Sequence, residues 1–205
     1  MVTYKGLPGP VIRDHLSREA SRPLYAGGTT FQIGKIEMVA NTGTYVDAPF
    51  HRWSDGVDLS GLALDVLAGR PGMSLKVPCA DGLVIDAPVI EELDVRGRAV
   101  LFCTGWSAFW GTPSYFQRSP HLTSAAASLL VARGAAIVGI DSHNIDDTDD
   151  KTRPVHSILL RAGIPVVEHL CNLEALPESG FRFYAVPVKV VGMGTFPVRA
   201  FAEVS

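Results

Sequence analysis

The chain has 205 residues, a hydrophobic content of 47%, a charged content of 19% and a formal net charge of -3. That length suits one domain with a substantial core. The near balance of 18 basic and 21 acidic residues gives no electrostatic basis for binding nucleic acid or an anionic membrane surface. Three cysteines, Cys79, Cys103 and Cys171, are far apart, form no CxxC motif and are read as structural. The N-terminal stretch MVTYKGLPGPVIRD is neither a signal h-region nor an arginine-rich transit sequence. No apolar run approaches the roughly 18 residues of a membrane span, so a cytoplasmic protein with no membrane partner is expected.

Taken in chain order, the alternation of Phe31, Ile33, Ile36 and Met38 with polar residues predicts a strand over Thr30 to Ala40, interrupted at Gly34. MSLKVP and GLVID are two more short strands, and Ala99 to Gly105 (AVLFCTG) is an apolar strand ending in a turn. Leu122, Ala125, Ala126, Leu129 and Leu130 follow the helical period, and Gly134 stops the helix. Ala135 to Asp141 (AAIVGID) is an apolar strand that delivers an acid at its C-terminal end. Arg153 to Gly163 (RPVHSILLRAG) reads as a short helix, with Pro154 in the first turn and Gly163 as the stop. IPVVEHL is a strand carrying Glu168, and FRFYAVPVKV a last long strand. Strands first, then β-α-β-α-β, then a strand predicts an α/β class: a mixed, partly parallel sheet with helices packed on it. Without repeat or linker, the chain reads as a single domain over residues 1–205.

Polar groups gather at element ends in three places: NTGTYVDAPFH at 41–51, the segment 141–156, and position 168. Asp47, His156 and Glu168 make a set of two carboxylates and one imidazole, suited to Zn²⁺ or Mn²⁺ with an open position for water. His51 is free to move protons near neutral pH. Plainer roles fit the same spacing: His156 as a hydrogen-bonded histidine, Glu168 as an ion-pair partner of Arg153 or Arg161, Asp47 and Asn41 as turn residues. DDTDD at 146–150 lacks the spacing and terminal Glu of a calcium loop and reads as solvated. His15, His121 and His169 gain no weight from spacing. Phe50, Trp53, Trp106 and Trp110 are candidate pocket walls or ordinary packing, and His143 joins them by its position near Asp141.

NTGTYVDAPFH resembles the HxGTHxDxPxH signature of the cyclase family, which includes bacterial kynurenine formamidase and isatin hydrolase. LFCTGWSAFW, GIDSHNIDDTDDKTRPVHSILLRAGIPVVEHLCNLEALP and YAVPVKVVGMGTFPVRAFA resemble later family segments in the same order, so the resemblance runs from about Phe31 to Ala202. It implies the swivelling β/β/α fold, a homodimer or homotetramer with the N-terminal 25 or so residues as a contacting arm, and metal-dependent hydrolysis of a formyl or cyclic amide in a small, aromatic substrate. It also implies Asp47, His156 and Glu168 as metal ligands and His51 as the general acid/base.

The sequence departs from the signature at Asn41 and Tyr45, which stand where the family has metal-binding histidines. An amide oxygen is a weak neutral ligand, and a phenol with a pKa of about 10 is a poor one. At most one divalent ion is therefore expected, with Asn41, Tyr45, Trp53 and His143 contacting substrate. Two alternatives stay open, because fold alone does not select among them: a metal-free acid/base enzyme (a cyclase or isomerase), and a non-catalytic protein that binds a small ligand.

Overall fold

The computed structural model describes residues 6–204. The chain starts with a hairpin of β1 (Val11–Leu16) and β2 (Ile33–Glu37), connected through the short helix α1 (Arg18–Ser21). The predicted strand around Gly34 is present, with Gly34 opposite Asp14, and the ladder shifts register between Asp14 and Leu16. Its alternation does not mark a buried face: all five residues of β2 are exposed, as are Val11 and Ile12 on β1.

The main body follows as β3 (Tyr45–Asp47), α2 (Leu64–Leu67), β4 (Arg70–Lys76), β5 (Val84–Ile85), β6 (Ala99–Cys103), β7 (His121–Leu122), α3 (Ser124–Ala132), β8 (Ile137–Ile140), α4 (Pro154–Arg161), β9 (Val166–Glu168), β10 (Ser179–Tyr184), β11 (Thr195–Pro197) and β12 (Phe201–Val204). Eight strands form one sheet in the order β11-β3-β9-β8-β6-β4-β10-β12, while β5 and β7 pair separately. The middle run β9-β8-β6-β4 is parallel, and the flanking pairs are antiparallel. The mixed α/β expectation holds.

Every residue of β6 and β8 is buried, as their apolar runs demand of strands covered on both faces. Alternate side chains go to opposite cores. Val100, Phe102, Val138 and Ile140 pack with Leu130 of α3 and Leu159 of α4. Ala99, Leu101, Ile137 and Val167 pack on the other side with Phe181 and Phe183 of β10.

Three sequence readings are corrected. FRFYAVPVKV breaks after Tyr184, where Pro187 cannot serve a ladder, and two more strands follow. Leu122 belongs to β7; the helix begins two residues later, at Ser124, with Thr123 Oγ1 accepting the Ala126 N–H at 3.1 Å as its cap. Cys103 is buried as expected, but Cys171 is exposed. No helix among the described residues is long and apolar enough to cross a membrane.

Candidate active site

Strand register builds the floor of the site. β3 lies between β11 and β9, with Asp47 opposite Thr195 and Tyr45 opposite Glu168. Tyr45 and Asp47 share a face by the period of two, while Val46 enters the core on the other side. Opposed residues on one face meet. The Tyr45 hydroxyl donates to Oε2 of Glu168 at 2.6 Å, and the Thr195 hydroxyl donates to Oδ1 of Asp47 at 2.5 Å. Oε1 of Glu168 accepts the Ile145 N–H at 2.7 Å. Both acids are buried.

Pro49 opens a single 3-10 turn, Pro49–His51, which folds the chain back after β3. Thr195 has committed its hydrogen to Asp47, so its oxygen accepts from Nδ1 of His51 at 2.7 Å. That bond assigns the tautomer: Nδ1 carries the hydrogen and Nε2 keeps its lone pair. The His51 side chain remains 36% exposed. Gly194 makes this turn possible by close approach, since a Cβ there would lie 2.3 Å from the His51 backbone nitrogen and 2.4 Å from its Cα. Gly194→Ala is therefore expected to push the His51 turn away and lower kcat by about tenfold or more, since a 1 Å misplacement can cost about 100-fold. A variant with wild-type kcat and melting temperature contradicts that contact.

His156 is aimed by a residue the sequence reading placed in a solvated loop. Asp146 is buried; Oδ1 accepts the Val155 N–H at 2.6 Å, and Oδ2 accepts the His156 N–H at 3.1 Å and bonds Nδ1 at 2.6 Å. Pro154 has no N–H and Arg153 makes no side-chain cap, so Asp146 satisfies the first open donors of α4 from outside the helix. With Nδ1 held, Nε2 faces Oδ2 of Asp47 at 3.5 Å and Oε1 of Glu168 at 3.4 Å. Ligand atoms around one ion with bonds of about 2.1 Å stand about 3.4 Å apart in a tetrahedron, so both separations are of the right size. Oδ2 of Asp47 is buried and accepts no hydrogen bond among the described residues, a lack that a cation would remedy. Ligand atoms of Asp47, His51 and His156 also lie within 4.8 Å of one another. The residues therefore fit a divalent ion, with Asp47 and His156 at its centre and Glu168 and His51 beside them.

Burial alone would lower the His156 pKa, but the carboxylates of Glu168, Asp146 and Asp47 outweigh it and hold the imidazolium up to about 10. Burial, reinforced by the charge of Asp47 and opposed by His156, pushes Glu168 up to about 7. In the metal-free protein a proton on Nε2 thus sits beside two acids. It stabilises that state fully below the ordinary histidine value of 6.5, and the contribution is lost as pH rises through about 10. A metal ion has to displace this proton. Divalent-ion affinity is expected to rise by about tenfold per pH unit above pH 7 and more steeply below it, where Glu168 also gives up a proton, with about one to two protons released per ion. Calorimetric titration in buffers of different protonation enthalpy reads that number; affinity independent of pH contradicts it.

A cavity of about 300 Å³ opens over these groups, and its wall includes Asn41, Tyr45, His51, Arg52, Arg153 and His156. Trp53 and His143 do not line it. The Trp53 indole donates to the Ser157 carbonyl at 3.3 Å, and the Arg52 and Arg161 guanidiniums stand over its ring at 4.6 and 5.1 Å. His143 is buried against the rings of Tyr115 and Phe116, and burial lowers its pKa to about 4. Arg161 pairs with Asp55 rather than Glu168.

The chain matches the Cyclase family model over residues 10–147. It belongs to the cyclase family. Kynurenine formamidase of Bacillus cereus is 29% identical over 168 residues, 82% of this chain and 78% of that one. Isatin hydrolase A from Labrenzia aggregata, bound to benzyl benzoate, has the same fold: TM-score 0.82 at 21% identity, over 100% of this chain and 87% of that one. A potential metal-dependent hydrolase with cyclase activity superposes with a TM-score of 0.67 at 27% identity, covering 94% of this chain and 96% of that one.

Set against the cyclase-family signature, the Tyr45 substitution has a visible consequence. Its hydroxyl has one hydrogen, and that hydrogen goes to Glu168. The hydroxyl is thereby committed to Glu168, while Tyr45 itself lies on the cavity wall. Asp146 and Thr195 are the functional neighbours the sequence reading missed. Asp146 left one trace: an acid upstream of a proline-started helix that lacks its own cap. Thr195 left none.

Proposed function

We propose that this cyclase-family protein hydrolyses a non-peptide amide, formyl or cyclic, in a small aromatic substrate, using one zinc or manganese ion held by Asp47, His156 and Glu168. The observation that carries the reading is the buried Oδ2 of Asp47, which accepts no hydrogen bond among the described residues and faces Nε2 of His156 at 3.5 Å beside an accessible His51. When bound, the ion supplies Lewis acidity to the scissile carbonyl and to the attacking water. Asp47 and Glu168 provide the negative charge that retains it, and Asp146 occupies Nδ1 of His156 so that Nε2 alone can ligate.

Nε2 of His51 takes the proton from the attacking water and returns it to the leaving amine. Thr195 holds the ring by Nδ1, and the charge of Asp47 favours the imidazolium that forms. Asn41, on the cavity wall, offers an amide N–H to the carbonyl oxygen as charge grows there. Tyr45 fixes Glu168 from the cavity wall, while Trp53 and His143 act through packing. Kynurenine formamidase and isatin hydrolase relatives support an amide substrate. The Tyr45–Glu168 bond supports one ion rather than two, because it already satisfies one oxygen of that acid.

The test is turnover of N-formyl aryl amides and cyclic aryl amides by zinc- or manganese-loaded protein, with activity lost on chelation and restored by the ion. A chelated protein that keeps its full rate refutes the metal reading. It would favour a metal-free acid/base enzyme, which the proton held on His156 between two acids also suits.

We further infer a single-domain, cytoplasmic homodimer or homotetramer. The hairpin supports assembly: Ile12 and Ile36 are cross-strand partners on one face, 66% and 56% exposed. The first five residues of the expected arm lie outside the described residues. Ile12→Asp with Ile36→Asp should shift the protein to a monomer in analytical ultracentrifugation; an unchanged sedimentation coefficient removes the hairpin from the interface.

A further inference from the structure

We propose that the substrate carries a carboxylate, gripped at the cavity wall by the guanidinium groups of Arg52 and Arg153. This deepens the amide-hydrolase reading and rests on it. Among the described residues, the ionisable side chains on the wall that can carry positive charge are His51, Arg52, Arg153 and His156, and no carboxylate is on that wall. The acids of the site, Asp47 and Glu168, are buried beneath it and engaged with Thr195, His156, Tyr45 and Ile145.

Neither arginine is neutralised. Arg52 donates Nε to the Ser157 hydroxyl at 3.0 Å and stacks over Trp53 at 4.6 Å, while Arg153 donates Nη1 to the Asp147 carbonyl at 3.0 Å. Among the described residues no carboxylate lies within salt-bridge distance of either, whereas the nearby Arg161 binds both oxygens of Asp55 at 2.9 and 3.0 Å. Each of the two thus spends one N–H on a neutral acceptor and keeps others for a ligand, out of the five a guanidinium carries. A planar fork of donors matches a carboxylate, and both ends are already held, by stacking in one case and by a backbone carbonyl in the other. The chain as a whole has a formal charge of -3, so this cationic wall is a local arrangement and not a consequence of composition. A cavity of about 150 Å³ admits a benzene ring, so about 300 Å³ leaves space for a ring bearing an amide and an acid.

The probes are anthranilate, an aromatic amine with a ring carboxylate, and aniline, which lacks it. Binding to the zinc-loaded protein is measured by calorimetry at low and moderate salt. Wild type is expected to prefer anthranilate. Arg153→Gln and Arg52→Gln should each weaken anthranilate binding by about tenfold, and the double variant should erase the preference, with aniline unaffected. Circular dichroism melts check that the variants fold; Arg→Lys at either position should restore part of the affinity by charge alone. A double variant that keeps the preference overturns the proposal, and loss of the preference in Asp47→Asn instead would assign the carboxylate to the metal. Turnover separates the two layers. Arginine-dependent binding without hydrolysis of N-formylanthranilate refutes the amide-hydrolase reading and leaves the anion site standing. Equal, arginine-independent hydrolysis of N-formylanthranilate and formanilide does the reverse.

Discussion

Asp47→Asn is expected to leave the protein without a retained divalent ion and to lower kcat/KM for amide hydrolysis by about 1,000-fold or more. The estimate takes Lewis-acid catalysis at several kcal/mol and about 1.4 kcal/mol per factor of ten. The substitution keeps shape and removes charge. An amide oxygen still accepts the Thr195 hydroxyl, now bonded to Oδ1 at 2.5 Å, so the β3–β11 contact survives. At the Oδ2 position, however, an N–H donor would now face Nε2 of His156 at 3.5 Å, where a ligand lone pair is needed. In the metal-free protein two effects oppose: the imidazolium of His156 loses an anionic neighbour, while Glu168 is relieved of a like charge. The melting temperature of that state is therefore expected to move by only about a few degrees, roughly a 1 kcal/mol change. Elemental analysis, kinetics and thermal melts on one preparation check all three. Retained metal with lost activity would mean that Asp47 is not a ligand.

His51→Ala should separate chemistry from metal binding. Loss of a general acid/base costs about 100- to 10,000-fold in kcat, whereas metal content stays at the wild-type level because Asp47, His156 and Glu168 are untouched. Stability should change little, since the side chain is 36% exposed and its ring, among the described residues, is held by the Thr195 hydroxyl and the longer contact to Asp47 at 3.6 Å. Added imidazole should recover part of the rate by entering the space the side chain leaves. If His51→Ala instead strips the metal, the ion sits among Asp47, His51 and His156, the three groups whose ligand atoms lie within 4.8 Å, and His51 is a ligand rather than a proton carrier. Full activity in this variant would exclude both roles.

What the sequence disclosed follows from how locally each feature is encoded. β6 and β8 are legible because a strand covered on both faces must be apolar throughout, and each run is bounded by turn residues. Asp47, His51, His156 and Glu168 are legible by residue type and by their resemblance to a family pattern. The alternation around Ile33 and Ile36 misleads because it reports an apolar face without saying what covers it, and here the hairpin leaves it open. Asp146 hides in an acidic run, since composition describes a loop and cannot say which of its acids reaches a helix eight residues ahead. The Tyr45–Glu168 and Thr195–Asp47 pairs are invisible for a different reason. They depend on strand register between segments 123 and 148 residues apart, and a slip of one position would turn these side chains to the opposite face.

The most direct measurement is the number of divalent ions per chain, by elemental analysis of purified protein after zinc or manganese loading and removal of excess. The predicted result is one ion for the native chain and two when Asn41→His and Tyr45→His are combined, because the second change releases Oε2 of Glu168 and both supply imidazoles. No ion in the native chain, or two ions without those substitutions, contradicts the single-ion site.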